Sequence, residues 1–279
     1  MNVVVLGSTG MLGNVVGKYL INNTKFKVKT SYRNEEYKYG DSFHFDPCEP
    51  TWINTDMIAN ADYVINCIGK IKPHMKSDMQ ESIYINSIFP RVLADMCKKF
   101  NNKLIHITTD CVYSGKGLSY TEEDVADAED DYGKTKSLGE PDNCMVLRTS
   151  IIGEEVHDFV SLISWIKSMK GMAVNGYTNH YWNGITTNQY ARICEQIIND
   201  DLYSDGVSHV FSNSHVTKFD LVSMVDQVYD LSLKITQSEA PHQVDRTLGT
   251  VKSLNSKLLM VSLCEQLATM RLEASVFGN

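Results

Sequence analysis

The stretch Val3-Val4-Val5-Leu6-Gly7-Ser8-Thr9-Gly10-Met11-Leu12-Gly13 decides the fold. Its first four residues form an unbroken apolar run, the pattern of a strand buried on both faces of a parallel sheet. Glycines then recur at 7, 10 and 13. Met11, Leu12, Val15, Val16, Tyr19 and Leu20 follow at helical spacing and predict a helix over 11–21. A glycine turn between a buried strand and a helix has a physical purpose. One glycine allows the tight turn, one lets main-chain amides approach a pyrophosphate, and one lets the helix pack close to the sheet with its positive end toward the anion. The segment therefore predicts a dinucleotide-binding site, with Gly7, Thr9, Gly10, Met11, Leu12 and Gly13 against the cofactor. An ordinary strand-to-helix turn is the bland alternative, and the strand–turn–helix context weighs against it.

Downstream, the alternation continues. Phe26 to Ser31, Phe43 to Phe45, Ala61 to Ile68, Leu104 to Ile107 and Met145 to Leu147 read as strands, and a long helix is expected from Met79 to Phe100 with a break at Pro90. This rhythm predicts an α/β class, doubly wound parallel sheet. After about residue 150 the rhythm changes. Helices are expected at Phe159–Met169, Thr186–Ile198 and Thr217–Val228, with a strand at Val207–Phe211. No repeat or Pro/Gly-rich linker intervenes. Two units are thus expected, a nucleotide-binding domain over 1–150 and a smaller substrate lobe over 151–279, with parts of the chain crossing between them.

Composition narrows the partners. The 279 residues carry a net charge of −8 with 26 Lys and Arg. Such a chain repels phosphate backbones, so nucleic acid is not expected. Seven scattered cysteines without a C-x-x-C pair suit a reducing compartment. The eight histidines lack metal-ligand spacing. No signal peptide and no membrane-spanning run are read, so a cytoplasmic protein away from membranes is expected.

Two details bear on the cofactor. The second strand ends Thr30-Ser31-Tyr32-Arg33 without the acidic residue that would bind the ribose hydroxyls of NAD. Arg33 instead suits the 2′-phosphate of NADP(H), against the alternative of a solvated surface arginine. Asp46 is placed near the adenine, and Cys67, Ile68 and Gly69 end the fourth strand where the nicotinamide ribose would lie. Asn86, on the long helix, is a further candidate for the cofactor site.

Tyr132-Gly133-Lys134-Thr135-Lys136 is a Tyr-x-x-x-Lys pattern. On a helix, positions i and i+4 share a face, so Lys136 stands beside Tyr132. An ammonium there favours the phenolate, which suits Tyr132 to general acid–base work, and Lys136 also holds the nicotinamide ribose. Tyr-x-x-x-Lys alone is common. Thr108-Thr109-Asp110-Cys111 at the end of the fifth strand makes it specific, because strand ends line the ligand crevice. Thr109, with Thr108 as the alternative, is expected to hydrogen-bond the reacting carbonyl.

These residues resemble the extended short-chain dehydrogenase/reductases, in particular the dTDP-4-dehydrorhamnose reductase-like branch. The resemblance rests on Gly7–Gly13, Thr108–Gly115, Tyr132–Glu140, Leu147–Gly153, Gly184-Ile185-Thr186-Thr187 and Asp245-Arg246-Thr247-Leu248. It implies a Rossmann domain with a sugar-nucleotide lobe, a Thr109–Tyr132–Lys136 triad, and pairing through helices into a homodimer. It implies structural or phosphate-binding roles for Arg148 and Arg246. The sequence departs from dTDP-4-keto-rhamnose reductases at Ile151-Ile152 and at Cys111, where aromatic residues are usual. A related group with Thr-Asp-Cys and Ser-Ile-Ile-Gly reduces UDP-linked 4-keto-6-deoxy sugars, including N-acetylated ones.

The expected activity is NADPH-dependent reduction of the 4-keto group of a UDP- or dTDP-linked 4-keto-6-deoxyhexose. A 4,6-dehydratase ranks low, since Cys111 replaces the glutamate it would need. A C4-epimerase with tightly held NAD is disfavoured by Arg33. A bifunctional 3,5-epimerase/4-reductase would use Cys111 as base and His157 as acid, both otherwise a cleft-lining thiol and a surface histidine. Asp110, Cys111, His157 and Arg246 are accordingly the candidate substrate residues. A cofactor-sensing regulatory subunit on the same fold is the non-enzymatic alternative.

Overall fold

The computed structural model describes residues 1–49 and 56–277. Six strands of the nucleotide-binding half are β1 (Asn2–Leu6), β2 (Lys27–Tyr32), β3 (Ser42–His44), β4 (Tyr63–Asn66), β5 (Lys103–Thr109) and β6 (Met145–Thr149). The strands of the second half are β7 (Ile151–Ile152), β8 (Ala173–Tyr177), β9 (His180–Trp182), β10 (Ile185–Thr186), β11 (Gly206–His209), β12 (Val216–Thr217), β13 (Lys234–Ser238) and β14 (Val244–Asp245). The helices are α1 (Met11–Asn23), α2 (Asp56–Ala59), α3 (Lys72–Met75), α4 (Met79–Ile83), α5 (Phe89–Lys99), α6 (Asp131–Leu138), α7 (Leu162–Ser168), α8 (Thr187–Asn199), α9 (Lys218–Tyr229), α10 (Leu254–Lys257) and α11 (Leu263–Phe277).

The central sheet has seven parallel strands in the order β11-β6-β5-β4-β1-β2-β3. Strand order reverses between β1 and β4, which opens the ligand crevice above their carboxyl ends. The apolar run of β1 shows why two layers of helices are needed. Val3 and Val5 join the core under α1 and α8, whereas Val4 and Leu6 join the core under α5. Each fully buried aliphatic side chain contributes roughly 1.5–3 kcal/mol to this sandwich.

The chain after residue 150 does not stay in one lobe. α8 packs on α1, and β11 extends the sheet beside β6, with Val207 opposite Val146. The rest forms a smaller unit with its own core of Ile163, Ile166, Val174, Trp182, Leu221 and Val225. Its strands pair as β12-β9-β14 and β13-β8, and β7 pairs with β10 next to the crevice.

Two helix expectations are corrected. The helix from Met79 is interrupted before Pro90, by a wide π turn over Tyr84–Ile88. Pro90 then sits in the first turn of α5, where its missing N–H is tolerated. The helix expected from Phe159 begins only at Leu162, because Asp158 and Phe159 take left-handed backbone conformations (φ 67° and 47°) that no helix start accommodates. Among the described residues no helix is long and apolar enough to cross a membrane.

Candidate active site

The glycine turn comes first. Gly7 has φ 76°, and its carbonyl accepts from the Gly10 amide at 3.1 Å. A Cβ on Gly13 would lie 2.2 Å from the Gly7 carbonyl oxygen, so only glycine lets α1 descend onto the turn. Gly10 is the N-cap of α1 and offers no capping side chain. The first amides of a thirteen-residue helix therefore face the crevice without a protein acceptor, which fits an anionic diphosphate. Ser31 accepts from the Gly7 amide at 2.8 Å and Ser8 donates to the Ser31 carbonyl, locking the turn to β2.

At the adenosine end, Arg33 is exposed just beyond β2 and forms no ion pair among the described residues. Its guanidinium is free for a phosphate. Asp46 is half-buried and its carboxylate accepts from the Cys48 amide at 2.9 Å, so it shapes its own loop. Tyr39, not anticipated, packs against Gly17 with its hydroxyl near the carbonyls of Gly13 and Asn14.

The end of the crevice expected to take the nicotinamide is built from β4, the π turn, β5 and α6. The Cys67 amide donates to Leu6, and the Ile68 amide to the Asn66 side chain. Asn86 accepts from the Lys70 amide (2.8 Å) and donates to the Lys70 carbonyl (3.0 Å) and the Thr135 hydroxyl (3.3 Å). It clamps the Gly69–Lys70 loop to α6. Such π turns recur at functional sites because they redirect a side chain that a regular helix would misplace. Space for a Cβ at Gly69 lies only 3.6 Å from the Lys136 ammonium, so the loop, Asn86 and Lys136 converge.

α6 reaches this position through Gly133. A Cβ there would lie 2.1 Å from the Cys111 carbonyl oxygen, so the residue after Tyr132 must be glycine for the helix to approach β5. Asp130 caps the helix by accepting from the Gly133 amide at 2.8 Å. Tyr132 then stands near Thr109, whose hydroxyl eases its ionisation. Against the expectation that Lys136 favours the phenolate, burial, with Cys111 and Asp110 adding to it, raises the Tyr132 phenol well above its ordinary value, so the tyrosine is a protonated acid. Lys136 is buried and donates to the Ile107 carbonyl at 3.1 Å. Burial lowers its pKa to about 8. Thr109, rather than Thr108, faces the crevice. Thr109 Oγ1 donates to Asp110 at 3.0 Å and accepts from the Cys111 amide, whereas Thr108 Oγ1 is buried without a partner.

The candidate substrate residues Asp110 and Arg246 lie beyond Thr109. Asp110 is buried, and burial raises its carboxyl pKa against the pull of Thr109, Arg246 and Lys218. Ser150 adds a smaller pull on the Asp110 carboxyl and accepts from the Trp182 indole at 2.8 Å. Arg246 donates to the carbonyls of Tyr113 (2.8 Å) and Ser114 (3.1 Å) beside Asp110. Lys218, Ser150 and Trp182 were not singled out from sequence. The signal for Lys218 is a lysine in the first helical turn after a Thr217 cap, where the helix dipole disfavours a cation. Arg148 serves structure: it pairs with buried Glu140 at 2.5 Å and with His209 at 3.1 Å.

His157 is not brought to Cys111. Its Nε2 donates to the Thr9 carbonyl at 2.7 Å, and its ring lies 4.2 Å from that of Tyr37. The left-handed Asp158 and Phe159 turn the chain here, which carries His157 to the glycine turn instead of the reacting end. Cys111 stays beside Thr109, and burial pushes its thiol up to about 11, with Asp110 reinforcing the effect.

The family model described as RmlD substrate binding domain matches residues 1–265. The chain is 26% identical over 258 residues to the probable low-salt glycan biosynthesis reductase Agl14 of Haloferax volcanii, covering 87% of this chain and 85% of that protein. It is 23% identical to methionine adenosyltransferase 2 subunit beta of Bos taurus, covering 82% of this chain and 72% of the relative. Its fold is similar to that of dTDP-4-dehydrorhamnose reductase from Bacillus anthracis in complex with NADP, with a TM-score of 0.74 at 18% identity over 98% of this chain and 99% of that one.

Proposed function

The chain belongs to the RmlD substrate-binding domain family, and from that premise we propose that it is an NADPH-dependent oxidoreductase. It reduces the 4-keto group of a nucleotide-linked 4-keto-6-deoxyhexose. The observation that carries this reading is the convergence of Thr109, Tyr132 and Lys136 at the carboxyl end of β5, beside the crevice over the glycine turn. The cofactor fits: uncapped α1 amides face a diphosphate, Arg33 is free for a 2′-phosphate, and the Gly69 loop with Lys136 accommodates the nicotinamide ribose.

When bound, NADPH supplies the hydride. Thr109, on turning its hydroxyl proton from Asp110, donates to the keto oxygen and fixes its position. Tyr132, held protonated by burial, gives its phenolic proton to that oxygen as alkoxide character develops. Lys136 stabilises the phenolate that remains. Asn86 keeps Lys136 and the Gly69 loop in register. Asp110, Ser150 and Arg246 border the sugar and its phosphate.

Two other readings have a specific observation behind them. The similarity to methionine adenosyltransferase 2 subunit beta favours a regulatory subunit. The fold neighbours include UDP-glucuronic acid 4-epimerase from Bacillus cereus in complex with NAD, which favours epimerisation. The experiment is a panel of UDP-, dTDP- and GDP-linked 4-keto sugars assayed for NADPH oxidation with wild-type protein and Tyr132→Phe. Turnover with one sugar, reduced about 10²-fold or more in the variant, supports reduction. No turnover with any member, while NADPH binds, leaves the regulatory reading standing.

A further inference from the structure

Lys218 is the first residue of α9, in the smaller unit. Three physical terms oppose a cation there. The positive end of the helix dipole repels it. Burial removes its hydration and lowers its pKa. Arg246 repels it from the same side. Among the described residues no carboxylate stands within ion-pair distance of its ammonium, and no hydrogen bond holds it. The ammonium instead lies 5.9 Å from the centre of the Trp182 ring. Trp182 donates to Ser150 at 2.8 Å, and Ser150 follows Thr149, the residue paired with Thr109 across β6 and β5. Asp110 is the group that attracts the ammonium. Lys218 thus hangs over the sugar end of the crevice, and a single buried carboxylate faces two cations.

Lys218 is half-buried, and a partly desolvated cation without a direct partner is costly unless a ligand completes it. We propose that Lys218 is a specificity-determining residue that binds an oxyanion of the substrate beside the reacting hexose, with Trp182 and Asp110 orienting its ammonium. The proposal rests on the nucleotide-sugar reading above and adds a residue and a charge requirement to it. Two sources share this chemistry: the sugar-linked phosphate, and a carboxylate at C6 of the hexose, which would replace the 6-deoxy substrate above with a hexuronate. The alternative is that Lys218 only offsets the charge of Asp110 and covers the Trp182 face.

Calorimetric titration of NADP⁺-saturated protein decides among them. The titrants are UDP, dTDP, UDP-glucose and UDP-glucuronate; the proteins are wild type, Lys218→Met and Lys218→Arg, with NADP⁺ affinity measured on each. At least a tenfold loss for UDP or dTDP in Lys218→Met, with substantial recovery in Lys218→Arg, supports the phosphate source. At least a tenfold loss confined to UDP-glucuronate supports the hexose carboxylate. Affinities within twofold of wild type for every titrant overturn the proposal, as does an equal loss of NADP⁺ binding, which marks a structural lysine. Wild-type protein that binds NADP⁺ but none of the four titrants overturns the nucleotide-sugar reading itself, and this inference with it.

Discussion

The ammonium of Lys136 lies 3.1 Å from the main-chain carbonyl of Ile107. That bond ties the helix bearing Tyr132 to the strand bearing Thr109, two residues before the threonine. It also holds a charge in a buried position, where its pKa falls from 10.5 to about 8.

This depression has a consequence for stability. Between pH 8 and 10.5 the unfolded chain keeps a proton on this lysine that the folded protein has released. Wild-type stability from this group therefore rises with pH across that window. Lys136→Met removes the buried charge and is expected to gain up to about 3 kcal/mol at pH 7, less the lost hydrogen bond. The gain should vanish near pH 10 or so, by the same linkage. Turnover should be lost. Urea unfolding at both pH values checks this, and a variant less stable than wild type at pH 7 would show that the Ile107 bond outweighs burial.

Arg33 governs the second prediction. It is exposed and without an ion pair among the described residues, so little folding energy depends on it. A charge-assisted contact to the 2′-phosphate contributes roughly 1.5–3 kcal/mol, or about ten- to hundredfold. Arg33→Ala should therefore lower kcat/KM for NADPH by that factor, leave NADH unchanged and leave Tm unchanged. Equal use of both cofactors by wild type would reject the assignment.

The third prediction separates structure from chemistry at Arg148. Its guanidinium pairs with Glu140 where both side chains are nearly inaccessible, and it also meets Tyr113 and His209. Removing one partner of a buried pair typically costs 3–5 kcal/mol or so, because the other charge is stranded. Arg148→Ala should show that loss in chemical denaturation, while the KM values of whatever folds remain near wild type. A variant of normal stability with a raised substrate KM would move Arg148 into the substrate site.

The sheet and the helix that carries Tyr132 and Lys136 were legible because each is local. Val3–Leu6 and Gly7–Gly13 are contiguous, and Tyr132 and Lys136 share a helix face by spacing alone. What was not legible depends on approach between distant segments. Lys218 and Trp182 reach Asp110 only once α9 and β9 of the smaller unit are set against β5. The return of β11 to the sheet involves Gly206–His209, too short a run to announce its neighbour. His157 shows the opposite hazard. Its position before a helix suggested the reacting end, but two left-handed residues after it redirect the chain.

Cys111 and His157 together give the last prediction. Epimerisation before reduction needs a base and an acid on opposite faces of one carbon acidified by the keto group. The structure separates the pair: Cys111 stays beside Thr109, while His157 donates to Thr9 at the glycine turn. The thiol is also a poor base, because burial and Asp110 hold its pKa near 11. Protein incubated with a 4-keto sugar nucleotide in D₂O without NADPH should therefore take up no enzyme-dependent deuterium at C3 or C5. His157→Ala should instead raise the KM for NADPH with little change in kcat, since it loses a support of the diphosphate turn. Deuterium uptake that disappears in Cys111→Ser would reverse this conclusion and make the thiol a working base despite its burial.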